Sequence, residues 1–111
     1  MTRTEIAEMV SDIAEATGLP AAYHHFLTPQ EPPYLIYLIS RPDYYADNEN
    51  YQKIAHVAIE FYYDDPDPDL ADQIEALIPT AYTVSEPEYL DSETMYVTIF
   101  EMEVPLNGEQ D

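Results

Sequence analysis

Residues Tyr34–Ser40 read YLIYLIS, an almost uninterrupted apolar run whose only polar groups are two tyrosine hydroxyls and a terminal serine. Its length suits one strand, and its aromatic and β-branched content suits a pleated backbone. A strand with one wet face alternates apolar and polar residues. Here Leu35, Tyr37 and Ile39 share one side, while Tyr34, Ile36 and Leu38 share the other. The segment 95–104, MYVTIFEMEV, behaves almost the same way. Met95, Val97 and Ile99 lie on one side, and Tyr96, Phe100 and Met102 on the other. The chain is therefore built on a sheet that asks for cover on both faces.

Outward from this centre the elements follow by pattern. Residues 51–63 form a long strand with Val57, Ile59, Phe61 and Tyr63 on one face and His56, Glu60 and Tyr62 on the other. A polar hairpin loop, 41–50, joins it to the preceding strand. Residues 28–33 contain three prolines and form a linker that cannot sit inside a ladder. A short strand is expected at 21–26. Ahead of it, Ile6, Met9, Val10, Ile13 and Thr17 recur at helical spacing across residues 2–17. Thr2 and Glu5 fit a capping box, Gly18 fits the left-handed C′ position, and Pro20 blocks continuation. Glu8 and Asp12 repel one another on the exposed side, so packing must hold this helix.

After the long strand, Asp67 can cap a second helix with Pro68 at its first position and Asp69 in its first turn. Leu70, Ile74, Leu77 and Ile78 form its stripe, which ends near Pro79. Residues 82–86 read as a weak strand. The order α-β-β-β-α-β-β predicts an α+β domain, a mostly antiparallel sheet of about four to five strands with two helices on one face. Residues 1–104 form this single domain, and 105–111 form an acidic C-terminal tail. Two helices cover one face. The second is covered either within the monomer or by a neighbouring subunit.

Composition narrows the partners. The 111 residues carry 23 Asp and Glu against 3 Lys and Arg, a formal net charge of −20. Ile, Leu, Val and Phe make up 25 residues, which argues for a folded core rather than disorder. A chain of this length buries roughly two-thirds of its unfolded surface. Only Arg3, Arg41 and Lys53 could neutralise phosphates, and they are scattered, so stable nucleic-acid binding and anionic membranes are disfavoured. With no cysteine there is no disulfide, thiol catalysis or cysteine zinc site. No signal peptide or membrane-spanning stretch is visible, and a soluble cytoplasmic protein is expected.

Tests for chemistry come out negative. A calcium loop starting at Asp65 would need glycine where Leu70 stands and glutamate where Ala76 stands. His24 and His25, as neighbours on a strand, should point to opposite faces and not chelate one ion, and His56 is isolated. No serine lies in a nucleophile elbow, and Gly18 and Gly108 are too far apart to cradle a phosphate. Nothing marks one carboxylate pair among so many for acid–base work. The expectation is a non-enzyme without metal or cofactor. The loop segment PDYYADNEN, 42–50, places Tyr44 and Tyr45 at an exposed tip. They either meet a partner or fold back over the sheet edge.

The pieces AYHHF (22–26), PPYLIYL (32–38), YYADNENYQKI (44–54), IEFYYDDPDPD (59–69) and EYLDSETMYVTIFEMEV (88–104) carry a resemblance over nearly the whole chain. In this order they resemble the small tail-terminator or head–tail joining proteins of tailed phages and prophages of Gram-positive bacteria. The resemblance implies an α+β subunit of a ring, typically a hexamer, seated on the end of the tail tube. Such a ring stops tube polymerisation and meets the head connector, first in the host cytoplasm and then at the head–tail junction of the virion. The implied partners are other copies of this chain, the tail tube protein and the head connector proteins. DNA would pass through without binding, since like charges repel. Interface candidates are Tyr37, Tyr62, Tyr96 and Phe100 on the strands and Tyr44, Tyr45 and Asp47 on the loop. The rival reading is an acidic, DNA-mimicking inhibitor of another protein, which requires carboxylates arrayed on one face.

Overall fold

The computed structural model describes residues 1–40 and 54–106. The expected hairpin loop at 41–50, the first three residues of the strand expected at 51–63 and the tail from 107 onward lie outside them. Helix α1, Arg3–Thr17, starts as its caps dictate. The Glu5 amide donates to Thr2 Oγ1 at 3.1 Å and the Thr2 amide to Glu5 Oε1 at 2.9 Å. It stops at Gly18, whose φ of 75° lies in the left-handed region and whose amide donates to the Ala14 carbonyl. Three strands follow: β1, Ala21–Tyr23; β2, Tyr34–Ser40; and β3, Ile54–Tyr63. Helix α2, Pro68–Ala76, is capped by Asp67, which accepts from the Leu70 amide at 3.1 Å. The described chain ends with β4, Thr83–Val84; β5, Glu88–Leu90; and β6, Met95–Pro105.

The fold is α+β, with a mostly antiparallel sheet in the order β1-β2-β3-β6-β4 and β5 paired to β6 beside β4. Only β1 runs parallel to its neighbour. The sheet has six strands rather than four or five. The additional one, β5, is three residues long, too short to show alternation.

Register decides the core. Leu35 pairs with Phe61 and Phe61 with Thr98; Tyr37 pairs with Ile59 and Ile59 with Phe100; Ile39 pairs with Val57 and Val57 with Met102. These rows share one face of the sheet. They form a single cluster with Ile6, Met9, Val10 and Ile13 of α1 and Ile74 of α2. Phe61, Phe100, Ile59 and Leu35 are almost wholly removed from water, each burial stabilising by roughly 1.5–3 kcal/mol. Thr98 is the one buried polar side chain among the described residues, and its hydroxyl is 2.9 Å from that of Tyr63.

Several expectations need correction. The first strand ends at Tyr23 rather than Phe26, because His24 turns the chain with a φ of 71°. Leu77 does not belong to the α2 stripe; it caps the helix and is 41% exposed. Strand β6 runs one residue past 104, and Leu106 is buried, so the packed fold continues into the segment read as a tail. The Met1 ammonium donates to the Pro105 carbonyl at 2.7 Å, tying α1 to the end of β6.

Candidate functional site

The sheet face opposite the helices is built from the other parity of the same strands. Here Ile36 pairs with Glu60 and Glu60 with Ile99; Leu38 pairs with Ala58 and Ala58 with Glu101. Among the described residues neither helix lies over this face, since the buried side chains of both join the opposite cluster. Ile36, Leu38 and Ile99 remain half-buried without that cover. A shallow groove of about 440 Å³ runs over Leu38, Ala58, Glu60 and Ile99 and reaches Tyr23 and His24 at the end of β1.

The face is graded along its length. At one end, Tyr34 and Tyr62 stack with centroids 5.0 Å apart, and Phe26 meets Tyr34 edge-on at 5.4 Å. The Tyr34 hydroxyl reaches Met95 Sδ at 3.7 Å, and the Tyr62 hydroxyl donates to Glu60 Oε1 at 2.8 Å. Burial, followed by the hydrogen bond to Glu60, pushes the Tyr62 hydroxyl far above the ordinary tyrosine value. Burial and the nearby Glu93 and Glu60 push Tyr34 up as well. The middle is aliphatic. At the far end, His56 Nε2 lies 3.2 Å from Glu101 Oε2, beside the exposed Glu103 and Ser40.

The strand residues expected at an interface divide between the two faces. Tyr62 lies on the open face. Phe100 does not: it is 0% exposed in the core beside Ile59, and no partner can touch it. Tyr96 sits on the helix side, stacked on Tyr63 at 5.6 Å and met edge-on by Tyr89. Tyr37 shares the helix-side rows, packs against the core and meets Tyr23 edge-on at 5.1 Å. Burial, then proximity to Tyr23, raises its hydroxyl. Tyr44, Tyr45 and Asp47 lie outside the described residues.

A strand that is apolar on both sides does not say which side is covered. The missed signal is the parity of the acids. Glu60, Glu101 and Glu103 share a face with Ile36, Leu38 and Ile99, and a carboxylate marks the uncovered side.

The two neighbouring histidines also differ from expectation. They do not point apart: His24 Nδ1 and His25 Nδ1 are 3.0 Å apart on exposed rings. Among the described residues no group of three or more His, Cys, Asp or Glu gathers around one point, and no helix is long and apolar enough to cross a membrane. Every described carboxylate is exposed except those of Glu60 and Glu75, which are half-buried and each accept from a tyrosine hydroxyl. Compared with known proteins, the chain matches no family model and no curated sequence.

Proposed function

We propose that this chain is a structural subunit of a tailed-phage neck, a tail terminator or related head–tail joining protein, and that it acts without catalysis. The observation that carries the reading is the open sheet face. Three strands present the half-buried Ile36, Leu38 and Ile99 on a side that neither α1 nor α2 covers, and an apolar strip that the described residues leave uncovered favours burial against another surface. In a ring that surface is the neighbouring subunit, engaged head-to-tail so that the rotation closes. The resemblance of its segments to that family, over nearly the whole chain, is what points the reading to a phage neck.

The charge distribution supports this reading over the DNA-mimic one. Exposed carboxylates occupy the outer side of α1, the turn at 64–69, the segment 86–93 and the rim of the open face. A mimic needs them on one side. A surface that is acidic all round suits a ring through which DNA slides without sticking.

The test is assembly with a phage tail tube protein, observed by electron microscopy. The expected result is rings capping the tubes, with tubes that stop growing. A chain that stays monomeric at high concentration and leaves tube length unchanged overturns the proposal.

A further inference from the structure

Two features on opposite sides of the sheet complement one another. The first is Leu27, 96% exposed and the most exposed large apolar side chain among the described residues. It stands in the loop between β1 and β2. Its neighbour Phe26 packs edge-on against Tyr34, and the groove over residues 25–30 is completed by Tyr34 and Ile36, so the loop borders the open face. A lone exposed leucine is ordinary, but the charge around this one is not. Residues 16–30 form the longest stretch without Asp or Glu in a chain that carries 23 of them. The exposed turn ahead of Leu27 offers two imidazoles, His24 and His25, and no carboxylate.

The second feature is a cleft of about 260 Å³ between the start of α2 and the segment 84–87. Pro66, Pro68 and Ala71 line it from the α2 side, Val84 and Pro87 from the β4 side, and the buried Thr98 lies at its base. The Thr98 hydroxyl is already paired with that of Tyr63, so the cleft asks its occupant for apolar surface. Its volume falls below the roughly 300–1,000 Å³ of small-molecule sites and suits one or two side chains. Asp67 and Glu75 lie along it, with no Lys or Arg among the lining residues. An occupant that brought its own carboxylates would be repelled.

We propose that Leu27 of one copy of this chain fills the α2–β4 cleft of a second copy. The chain cannot do this for itself. Leu27 borders the open face beside the β1–β2 edge, whereas the cleft lies on the helix side towards β4, at the other edge. Strands β1 and β4 are four strand spacings apart, about 19 Å. A contact between two different surfaces at opposite edges is heterologous and repeats head-to-tail. The acid-free loop approaches an acidic copy without adding like-charge repulsion. The inference rests on the ring proposed above and names what the rim of the open face meets.

The chain has no cysteine, so introduced thiols report without background. The experiment mixes Leu27→Cys and Val84→Cys chains in equal amounts under mild oxidation and measures which disulfide dimers form. Sedimentation velocity of the parent, Leu27→Ser and Leu27→Met runs beside it, with and without a phage tail tube protein. The expected result is mixed disulfides well above half of all dimers, half being the random share. Leu27→Ser should weaken self-association by about tenfold or more, and Leu27→Met should associate as the parent does. Leu27 is exposed in the single chain, so its variants should keep the parent's thermal transition. Mixed disulfides at or below half, an excess of dimers between two Leu27→Cys chains, or a Leu27→Ser chain that associates like the parent would each overturn the contact. If rings cap the tubes all the same, the neck reading survives that failure. If mixed disulfides dominate while the tubes grow unchanged, the contact stands and the neck reading fails.

Discussion

The two faces of the central sheet are made from alternate residues of the same strands, yet they are held by different means. On the helix side, Leu35, Ile59, Phe61 and Phe100 are sealed beneath α1 and α2. On the other, Ile36, Leu38 and Ile99 are half-buried, with Glu60, Glu101 and His56 set among or beside them. Both faces are apolar enough to be a core. Among the described residues only the helix side is sealed throughout, although Ala58, Met95 and Val97 are also buried on the other, and the difference lies in where the chain places carboxylates. A strand row that holds Phe100 and Met102 tolerates no charge, whereas the row that holds Ile99 runs directly into Glu101 and Glu103. One face is therefore committed to folding, and the other is free to serve an interface.

Substitutions on either side of one backbone position can break this contrast. Phe100→Ala should destabilise the fold by about 3–5 kcal/mol, read as a drop in the urea midpoint, because it empties the centre of the sealed face. Tyr63→Phe should cost about 1–3 kcal/mol by leaving the buried Thr98 hydroxyl without its partner at 2.9 Å. Asp67→Ala should cost about 1 kcal/mol in the same assay through loss of the α2 cap. Ile99→Thr, the immediate neighbour of Phe100 but on the open face, should shift the midpoint least of these. It keeps a β-branched residue on a strand row that neither α1 nor α2 covers. If Ile99→Thr proves as damaging as Phe100→Ala, the two faces are not distinct.

Alkaline titration sharpens the comparison by a different route. The Tyr62 hydroxyl, on the open face, is raised above the ordinary tyrosine value of 10.0 by burial and by its bond to Glu60. The folded chain therefore holds that proton more tightly than the unfolded chain does. The corresponding stability is fully present below the unfolded value and is lost as pH rises from there through the folded value. Stability should fall above about pH 10, and Tyr62→Phe should make that fall shallower, as followed by denaturant melts across the range.

Much of this fold is legible in the sequence. Both helix starts are, because Thr2 with Glu5 and Asp67 with Pro68 are local devices that act within one turn. The strands Tyr34–Ser40 and 95–104 are legible from their apolar runs. The choice of face is harder to read. The acids at 60, 101 and 103 carry it, but attention to the aromatic residues Tyr96 and Phe100 favours the wrong parity. The histidine pair is not legible at all. It depends on a positive φ at His24, and that turn is made by hydrogen bonds to Tyr37 and Tyr23, the first of them in another strand.

The central claim is that the open face is a contact surface and that the helix side is the core. Native mass spectrometry with the proposed partner, a phage tail tube protein, present, comparing the parent chain with the double variant Ile36→Lys/Ile99→Thr, tests it most directly. The ammonium introduced at position 36 would face Glu60 across the strand pair and so preserve the monomer, while the apolar strip is lost. The account predicts closed oligomers for the parent and monomers with an unchanged thermal transition for the variant. Closed oligomers in both, or monomers in both, would contradict it.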